Sequence, residues 1–146
     1  MPQTTGAVSG AAAAVSVKIA AGAYVDHSGW TQSVDVTTAS IVNSEAYTFD
    51  GNNAIILMGK EEPVEVTVNF LYTEVAAELW EVAEAAFQAG SLVEVKWEPK
   101  GSTGKEITTT AGGYIISIDY PAVDASSAGP VVASFTVRAP GITTQA

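Results

Sequence analysis

The sequence predicts a mainly β fold of the α+β class: an antiparallel β-sandwich or barrel with one flanking α-helix. About seven segments alternate apolar and polar residues with the period of two that a half-buried strand requires. A single stretch between the middle strands has the 3.6-residue period of an amphipathic helix. The chain has 146 residues, which fits one domain, residues 1–146, around one hydrophobic core.

The chain is predicted to begin with a flexible N-terminal arm, residues 1–10, followed by two strands. In the first strand, residues 15–19, valine and isoleucine alternate with serine and lysine. In the second strand, residues 30–37, one face is mostly apolar and the other is polar. The polar face consists of Ser33, Asp35 and Thr37.

Residues 38–62 are predicted to form a long loop or an intervening hairpin, with a possible short strand at 45–49. The segment Asp50-Gly51-Asn52-Asn53 is a strong turn signal, because Gly and Asn tolerate positive φ. The apolar run 54–58 has two interpretations. It is either an exposed tip that a neighbouring molecule covers or a buried core strand. A loop of this length in a compact domain is usually functional.

The clearest strand follows Pro63, and the single helix follows that strand. The apolar face of the strand is Val64, Val66, Val68, Phe70 and Tyr72, and its polar face includes Glu65, Thr67 and Asn69. The helix is predicted over residues 74–89, with Thr73 as its N-cap and Gly90 as its stop. Its buried stripe is predicted to be Val75, Leu79, Val82, Ala83, Ala86 and Phe87, with Trp80 beside it.

Three further strands complete the predicted fold. Residues 93–98 alternate, residues 107–120 form a strand that bends at Gly112-Gly113, and residues 131–138 form the last strand. The C-terminal tail, residues 140–146, is predicted to be loose.

Composition excludes several functional classes. The chain carries 16 acidic and 6 basic residues, a net charge of −10, which argues against binding nucleic-acid phosphates or an anionic membrane surface. No apolar run reaches the length of a transmembrane helix. Charged residues are only 15%, against about 25% in an average domain. The low charge indicates a surface partly buried against other copies; the alternative is an Ala-rich monomer.

The sequence contains no convincing catalytic or metal-binding set. Asp26-His27-Ser28 has the residue types of a triad, but contiguous residues in an extended chain point to opposite faces and cannot align as a relay. With one histidine and no cysteine, the usual zinc ligand sets are excluded. We therefore expect no enzyme activity, no metal and no cofactor.

Several segments in order resemble a known family. They are A-Y-V-D-H-S-G-W-T-Q-S-V-D-V, V-E-V-T-V-N-F, T-E-V-A-A-E-L-W-E-V-A-E-A-A-F, G-S-L-V-E-V-K-W and the closing V-A-S-F-T-V-R. Together they resemble the tail tube (major tail) proteins of long-tailed bacteriophages. The resemblance implies a tail-tube-like fold that forms stacked hexameric rings, with strands joined into an inner barrel. It also implies partners: the tape measure protein, tail terminator and tip proteins, and DNA in transit, with no membrane. The location would be the virion tail, reached from the host cytoplasm during assembly.

Two surfaces are predicted on this basis. The lumen lining is assigned to Glu65, Thr67, Asn69, Ser33, Asp35 and Thr37, although these are also ordinary solvent-facing strand positions. Six copies would bring about −60 formal charges to a ring, which repels DNA and keeps it mobile. Ring stacking is assigned to the termini and to Asn52, Asn53, Ile55, Ile56, Leu57 and Met58.

Two other functional classes stay open at this point. One is another virion β-protein, such as a capsid decoration, tail-tip or fibre-base protein. The other is a small ligand-binding or hydrolytic β-barrel, which the missing catalytic set disfavours.

Overall fold

Two antiparallel sheets that face each other, and one separate hairpin, make up the fold. The structure is a computed structural model that describes residues 3–4 and 6–145. Its strands are β1 (Ala14–Ile19), β2 (Val25–Asp26), β3 (Thr31–Val36), β4 (Ile41–Ala46), β5 (Ile55–Glu61), β6 (Val64–Leu71), β7 (Val93–Glu98), β8 (Glu106–Thr109), β9 (Tyr114–Asp119), β10 (Val132–Ala139) and β11 (Ile142–Gln145). The helix is α1 (Leu79–Ala89). The five-stranded sheet has the order β11-β8-β7-β1-β2, the four-stranded sheet β3-β6-β10-β9, and the hairpin β4-β5. The predicted β-rich class with one helix is confirmed.

The core lies between the two sheets and beneath α1. Strand β6 buries Val64, Val66, Val68 and Phe70, as the alternation predicts. The ring of Phe70 is fully buried, with its centroid 5.8 Å from that of Phe135 and 6.4 Å from that of Trp80. Each large apolar side chain buried in this way contributes roughly 1.5–3 kcal/mol. The layer therefore joins the four-stranded sheet firmly to the helix.

The helix begins later than predicted. Residues 74–78 form a turn in which the Glu78 amide donates to the Val75 carbonyl at 3.0 Å, and Val75 is exposed rather than part of the buried stripe. The Thr73 hydroxyl bonds the Glu78 side chain and caps no helical amide, so Glu78 takes the N-cap position with extended backbone. The predicted stop is confirmed, because Gly90 adopts the left-handed conformation at φ 67°.

The predicted long loop 38–62 is a β-hairpin in the structure. Strands β4 and β5 pair from Ala46 opposite Ile55 to Ile41 opposite Glu61, with an irregularity near Val42. The short strand expected at 45–49 is β4, which ends earlier, at Ala46. Residues 47–54 form the connection to β5, with Gly and Asn at 51–53 in its turn.

Two predictions in the second half need correction. The expected strand 107–120 is two strands in different sheets, β8 and β9, because Gly112 at φ 103° turns the chain from one sheet to the other. The expected loose tail 140–146 contains β11, which pairs with β8 from Ile142 opposite Thr109 to Gln145 opposite Glu106. Thr and Ile at these positions suit an edge strand.

The N-terminal segment precedes the sheets. Of the predicted arm 1–10, residues 1, 2 and 5 lie outside the described residues. Residues 3–4 and 6–9 are exposed, and a short 3-10 turn at Gly10–Ala12 leads into β1. In the described ranges no helix is long and apolar enough to cross a membrane.

Candidate functional site

The outer face of the four-stranded sheet is mostly polar, and it holds all six residues predicted to line a lumen. The face also includes Leu71, Val132 and Tyr114. Ser33 and Asp35 lie on β3, Thr37 follows directly, and β6 contributes the other three, Glu65, Thr67 and Asn69. The two strands are neighbours, and Ser33 lies opposite Asn69 while Asp35 lies opposite Thr67. The structure thus brings the six together on one surface; their role in a lumen stays a prediction.

Hydrogen bonds hold this face in a fixed arrangement. The Asn69 amide nitrogen donates to Ser33 Oγ at 2.9 Å and to Asp35 Oδ2 at 3.1 Å. The backbone amide of Glu65 donates to Thr37 Oγ1 at 3.0 Å. Because Asn69 fixes the Asp35 carboxylate, the negative charge has a defined position on the sheet.

Strands β9 and β10 contribute the other half of this face, which was not predicted from the sequence. Thr136 lies 3.0 Å from Thr67 between their hydroxyl oxygens, and Ser134 Oγ donates to Asp119 Oδ2 at 2.9 Å. Arg138 lies opposite Glu65, with 3.8 Å between their charged groups. In the sequence, Val132, Ser134, Thr136 and Arg138 share one side of this strand by their period of two, and three of them are polar. This pattern carried no information on which strand lies beside β10.

This face carries a net negative charge, and its charged residues lie at different positions along the strands. Its carboxylates are Asp35, Glu65 and Asp119, and its one cation is Arg138, so its net charge is −2. The Glu65–Arg138 pair is exposed, and such pairs stabilise a fold by at most about 1 kcal/mol. Asp35 and Asp119 have no cationic partner among the described residues, so their charge is turned outward.

Both edges of the four-stranded sheet are free over most of their length. Strands β3 and β9 are the two edges, and neither pairs with a further strand in the part of the chain that the structure describes. At the start of β9, Tyr114 forms a single antiparallel bridge with Leu92, and the Val93 amide donates to the Gly113 carbonyl at 2.9 Å. Neither contains the Pro or Lys that commonly protects an exposed edge. Because all three pairings in this sheet are antiparallel, β3 and β9 run in opposite directions. One copy's β9 can therefore continue the antiparallel sheet at β3 of another copy.

The hairpin β4–β5 is the second candidate surface. Every residue of both strands is exposed, including Ile55, Ile56, Leu57 and Met58, each more than half exposed. The interpretation of 54–58 as a buried core strand is therefore wrong for this chain. Asn52 and Asn53 lie at its turn, and Phe49 is fully exposed. An isolated two-stranded hairpin is only marginally stable in water, and this one has apolar side chains on both faces. An exposed apolar surface of this kind is typical of a surface that binds another molecule.

The face of the hairpin that turns toward the body borders a cleft of about 540 Å³. Ile56 and Met58 line one wall, and Val64 and Ile142 line the other. Two carboxylates, Glu61 and Glu62, lie at its margin. In the described ranges no three His, Cys, Asp or Glu residues come close enough to hold a metal ion.

Asp26, His27 and Ser28 do not align for catalysis. The Ser28 hydroxyl donates to Asp26 Oδ1 at 2.5 Å, and hydrogen bonding from Ser28 lowers the pKa of Asp26. His27 turns the other way into the interior, where its Nδ1 accepts from Trp30 Nε1 at 3.2 Å. Burial lowers the His27 pKa, and the nearby Asp26 and Glu78 only partly oppose that effect. Asp26 and Ser28 therefore contact each other, whereas His27 contacts Trp30, and the three side chains form no relay.

Comparison with known proteins was made at the level of sequence and of structure. No protein-family model matches the sequence, and no curated protein is significantly similar to it. A chain in the structure of the tail of an empty gene transfer agent particle, with C6 symmetry, has a TM-score of 0.72 at 13% identity, covering 96% of this chain and 100% of that chain. A chain in the sheath/tube terminator of the PVC extracellular contractile injection system has a TM-score of 0.66 at 16% identity, covering 100% and 98%.

A third similar structure is the SPP1 tail tube, with a TM-score of 0.59 at 16% identity over 95% of this chain and 79% of that chain. The chain has the fold found in these tail and tube structures. The resemblance to tail tube proteins is thereby confirmed.

Proposed function

We propose that this protein is a structural subunit of a phage or phage-like tail tube, assembling as stacked hexameric rings around a channel for DNA. The observation that carries the proposal is the four-stranded sheet, which has two open edges, an apolar inner face and a hydrogen-bonded polar outer face. The fold shared with tail and tube structures supports it. The tape measure protein and terminator or tip proteins are the proposed further partners.

The ring geometry follows from the sheet edges. If β9 of each copy pairs with β3 of the next, the contact is head-to-tail and repeats around a closed ring. Six copies of four strands give 24 strands, and a spacing of about 4.8 Å gives an untilted barrel about 37 Å across at the backbone. Tilted strands widen it. Subtracting about 5 Å of side chain on each side leaves a channel of about 27 Å.

The polar outer face is the proposed channel lining. Its net charge of −2 per copy becomes about −12 per ring of six, a small part of the about −60 that whole chains bring. The Asp35 and Asp119 carboxylates would form two acidic bands, and Glu65 with Arg138 a neutral one. Acidic bands repel phosphates, so DNA would pass without being held.

The hairpin is the proposed stacking element. Ile55, Ile56, Leu57 and Met58 would be buried against an adjacent ring, which removes their exposed apolar area from water. The hairpin emerges beside Val64, where β6 and the proposed barrel begin. In the proposed barrel, the hairpin would therefore lie at one end.

A second candidate is a tube-terminating subunit, favoured because structural neighbours include the anti-feeding prophage cap and the PVC sheath/tube terminator. A terminator would form one ring that ends a tube made by another protein. Analytical ultracentrifugation and negative-stain microscopy of the purified protein separate the two. Hollow tubes or stacked rings support the tube subunit, and single rings at every concentration support the terminator. A monodisperse monomer up to millimolar concentration contradicts both.

A further inference from the structure

The two sides of the sandwich are built differently, and the β3 side is open. A cleft of about 490 Å³ lies there between β3 and the end of β7, and its walls include Val15, Gln32, Val34, Trp97 and Pro99. Val34 and Trp97 are partly exposed and pack only partly against the core. This side therefore presents a cleft of mixed apolar and polar lining that nothing in the described chain fills.

On the β9 side of the sandwich, helix α1 covers the hydrophobic core, and apolar side chains remain exposed next to the helix. Helix α1 packs along β9, with the Trp80 ring 5.4 Å from that of Tyr120. Ile116 and Tyr120, in and just after β9, are 47% and 58% exposed. An aliphatic side chain and a tyrosine, which is apolar with one hydroxyl, match the mixed lining of the cleft on the opposite side.

Charge also differs between the two sides. The turn that follows β7 begins at Pro99, beside the cleft. It carries Lys100 and Lys105, which are both exposed and form no ion pair in the described ranges. The helix side has the opposite sign: residues 72–95 contain no Lys or Arg, and α1 presents Glu81 and Glu84. Nearby carboxylates also raise the Tyr72 pKa, chiefly through its hydrogen bond to Glu74.

Resting on the ring proposed above, we infer that the cleft beside β3 receives the β9 side of a second copy of this chain, with Lys100 and Lys105 of one copy facing Glu81 and Glu84 of the next. Since β3 and β9 are opposite edges of one sheet, any head-to-tail joining brings these surfaces to the same junction. The contact would add an outer, electrostatic layer to the strand pairing inside.

The charges also select the ring over a two-fold dimer. Open β edges can pair isologously, β3 with β3 or β9 with β9, and both pairings would be antiparallel. The first would bring Lys100 and Lys105 against the same lysines, and the second would bring the helix carboxylates together. Like charges facing each other disfavour both dimers, whereas the head-to-tail contact pairs opposite charges.

A charge-exchange experiment tests the inference. Variant one carries Lys100→Glu and Lys105→Glu, and variant two carries Glu81→Lys and Glu84→Lys. Each alone places like charges at every junction, and we expect the protein concentration needed for ring formation to rise at least about tenfold at low salt. An equimolar mixture restores opposite charges in an alternating ring, which an even number of copies permits. We expect it to assemble near the wild-type concentration.

Controls keep the outcomes separate. Thr143→Glu with Gln145→Glu adds two negative charges on the exposed strand β11, the same change of net charge as the neutral pair Lys100→Gln with Lys105→Gln, and is expected to leave ring formation unchanged. The neutral pair Lys100→Gln with Lys105→Gln serves if a reversal variant does not fold, and it should abolish most of the salt sensitivity of assembly. Wild-type protein that never forms rings overturns the ring proposal and this inference with it. Wild-type rings together with unaffected reversal variants, or a mixture no better than its parts, overturn this inference alone.

Discussion

Shortening the hairpin is the sharpest test of its proposed role in stacking. Asn43 and Met58 are cross-strand partners, so residues 44–57 can be replaced by Asn-Gly, which forms a two-residue turn without changing register. The change removes five large apolar residues that the isolated chain leaves at least half exposed. They are Tyr47, Phe49, Ile55, Ile56 and Leu57.

The magnitude follows from their exposure. Full burial of such a side chain contributes roughly 1.5–3 kcal/mol, and burying the exposed half or more gives about 1 kcal/mol each. Five residues then give about 5 kcal/mol per copy, and six copies give about 30 kcal/mol for each ring-to-ring contact. A loss of about 5 kcal/mol per subunit weakens the association of rings by more than about a thousandfold for each subunit. The shortened protein should therefore form single rings and no tubes.

The assay compares wild-type and shortened protein by sedimentation velocity and negative-stain microscopy over a range of concentrations. Because the removed side chains are exposed, we expect the thermal midpoint of the shortened protein to stay within a few degrees of wild type. A full-length hairpin with Ile56→Ser and Met58→Ser, compared with Ile55→Ser and Leu57→Ser, shows which face makes the contact. Tubes formed by the shortened chain at the wild-type concentration would refute the reasoning.

Three other predictions address the lumen, the core and the buried histidine. Asp35→Lys would add six lysines to the channel of each ring, so assembled tubes should retain short duplex DNA that is protected from nuclease and released by salt. The control Thr143→Lys on β11 should leave any bound DNA open to nuclease. Equal protection in the two variants would contradict the lumen assignment. Phe70→Ala should cost about 3–5 kcal/mol in urea unfolding, and a cost below about 1 kcal/mol would show that the aromatic layer is not the centre of the core. Because burial lowers the His27 pKa below its unfolded value, stability should be full above about pH 6.5 and fall as the pH drops below it. His27→Asn should remove that slope in pH-dependent melting, and an unchanged slope would assign it to other groups.

Local patterns predicted the elements that depend on nearest neighbours along the chain. The alternation from Val64 to Tyr72 predicted both the strand and its buried face, since side-chain direction in a strand has a period of two. Gly90 predicted the end of the helix because a left-handed residue there satisfies the last carbonyls. The start of the helix was harder, because Thr73 is a good N-cap by type but bonds the Glu78 side chain instead.

The candidate surfaces were predicted only in part. Ser33, Asp35 and Asn69 were assigned to one surface, and in the structure the Asn69 amide nitrogen donates hydrogen bonds to both Ser33 and Asp35. Thr136 and Asp119 were not assigned to it. Their contacts with β6 and β10 join residues far apart in sequence, and alternation within a strand does not say which strand lies beside it.

From the sequence alone, the period-two strands, the single helix, the acidic balance and the lack of a catalytic set could be derived, because each depends on residue type and local spacing. Only the tertiary structure decided that β3, β6, β10 and β9 form one sheet with two open edges, and that residues 41–61 form a hairpin exposed on both faces. The physical reason is that strand partners are chosen by long-range hydrogen bonding and core packing. Both interactions depend on residues far apart in the chain, so they cannot be derived from the residue type at any single position.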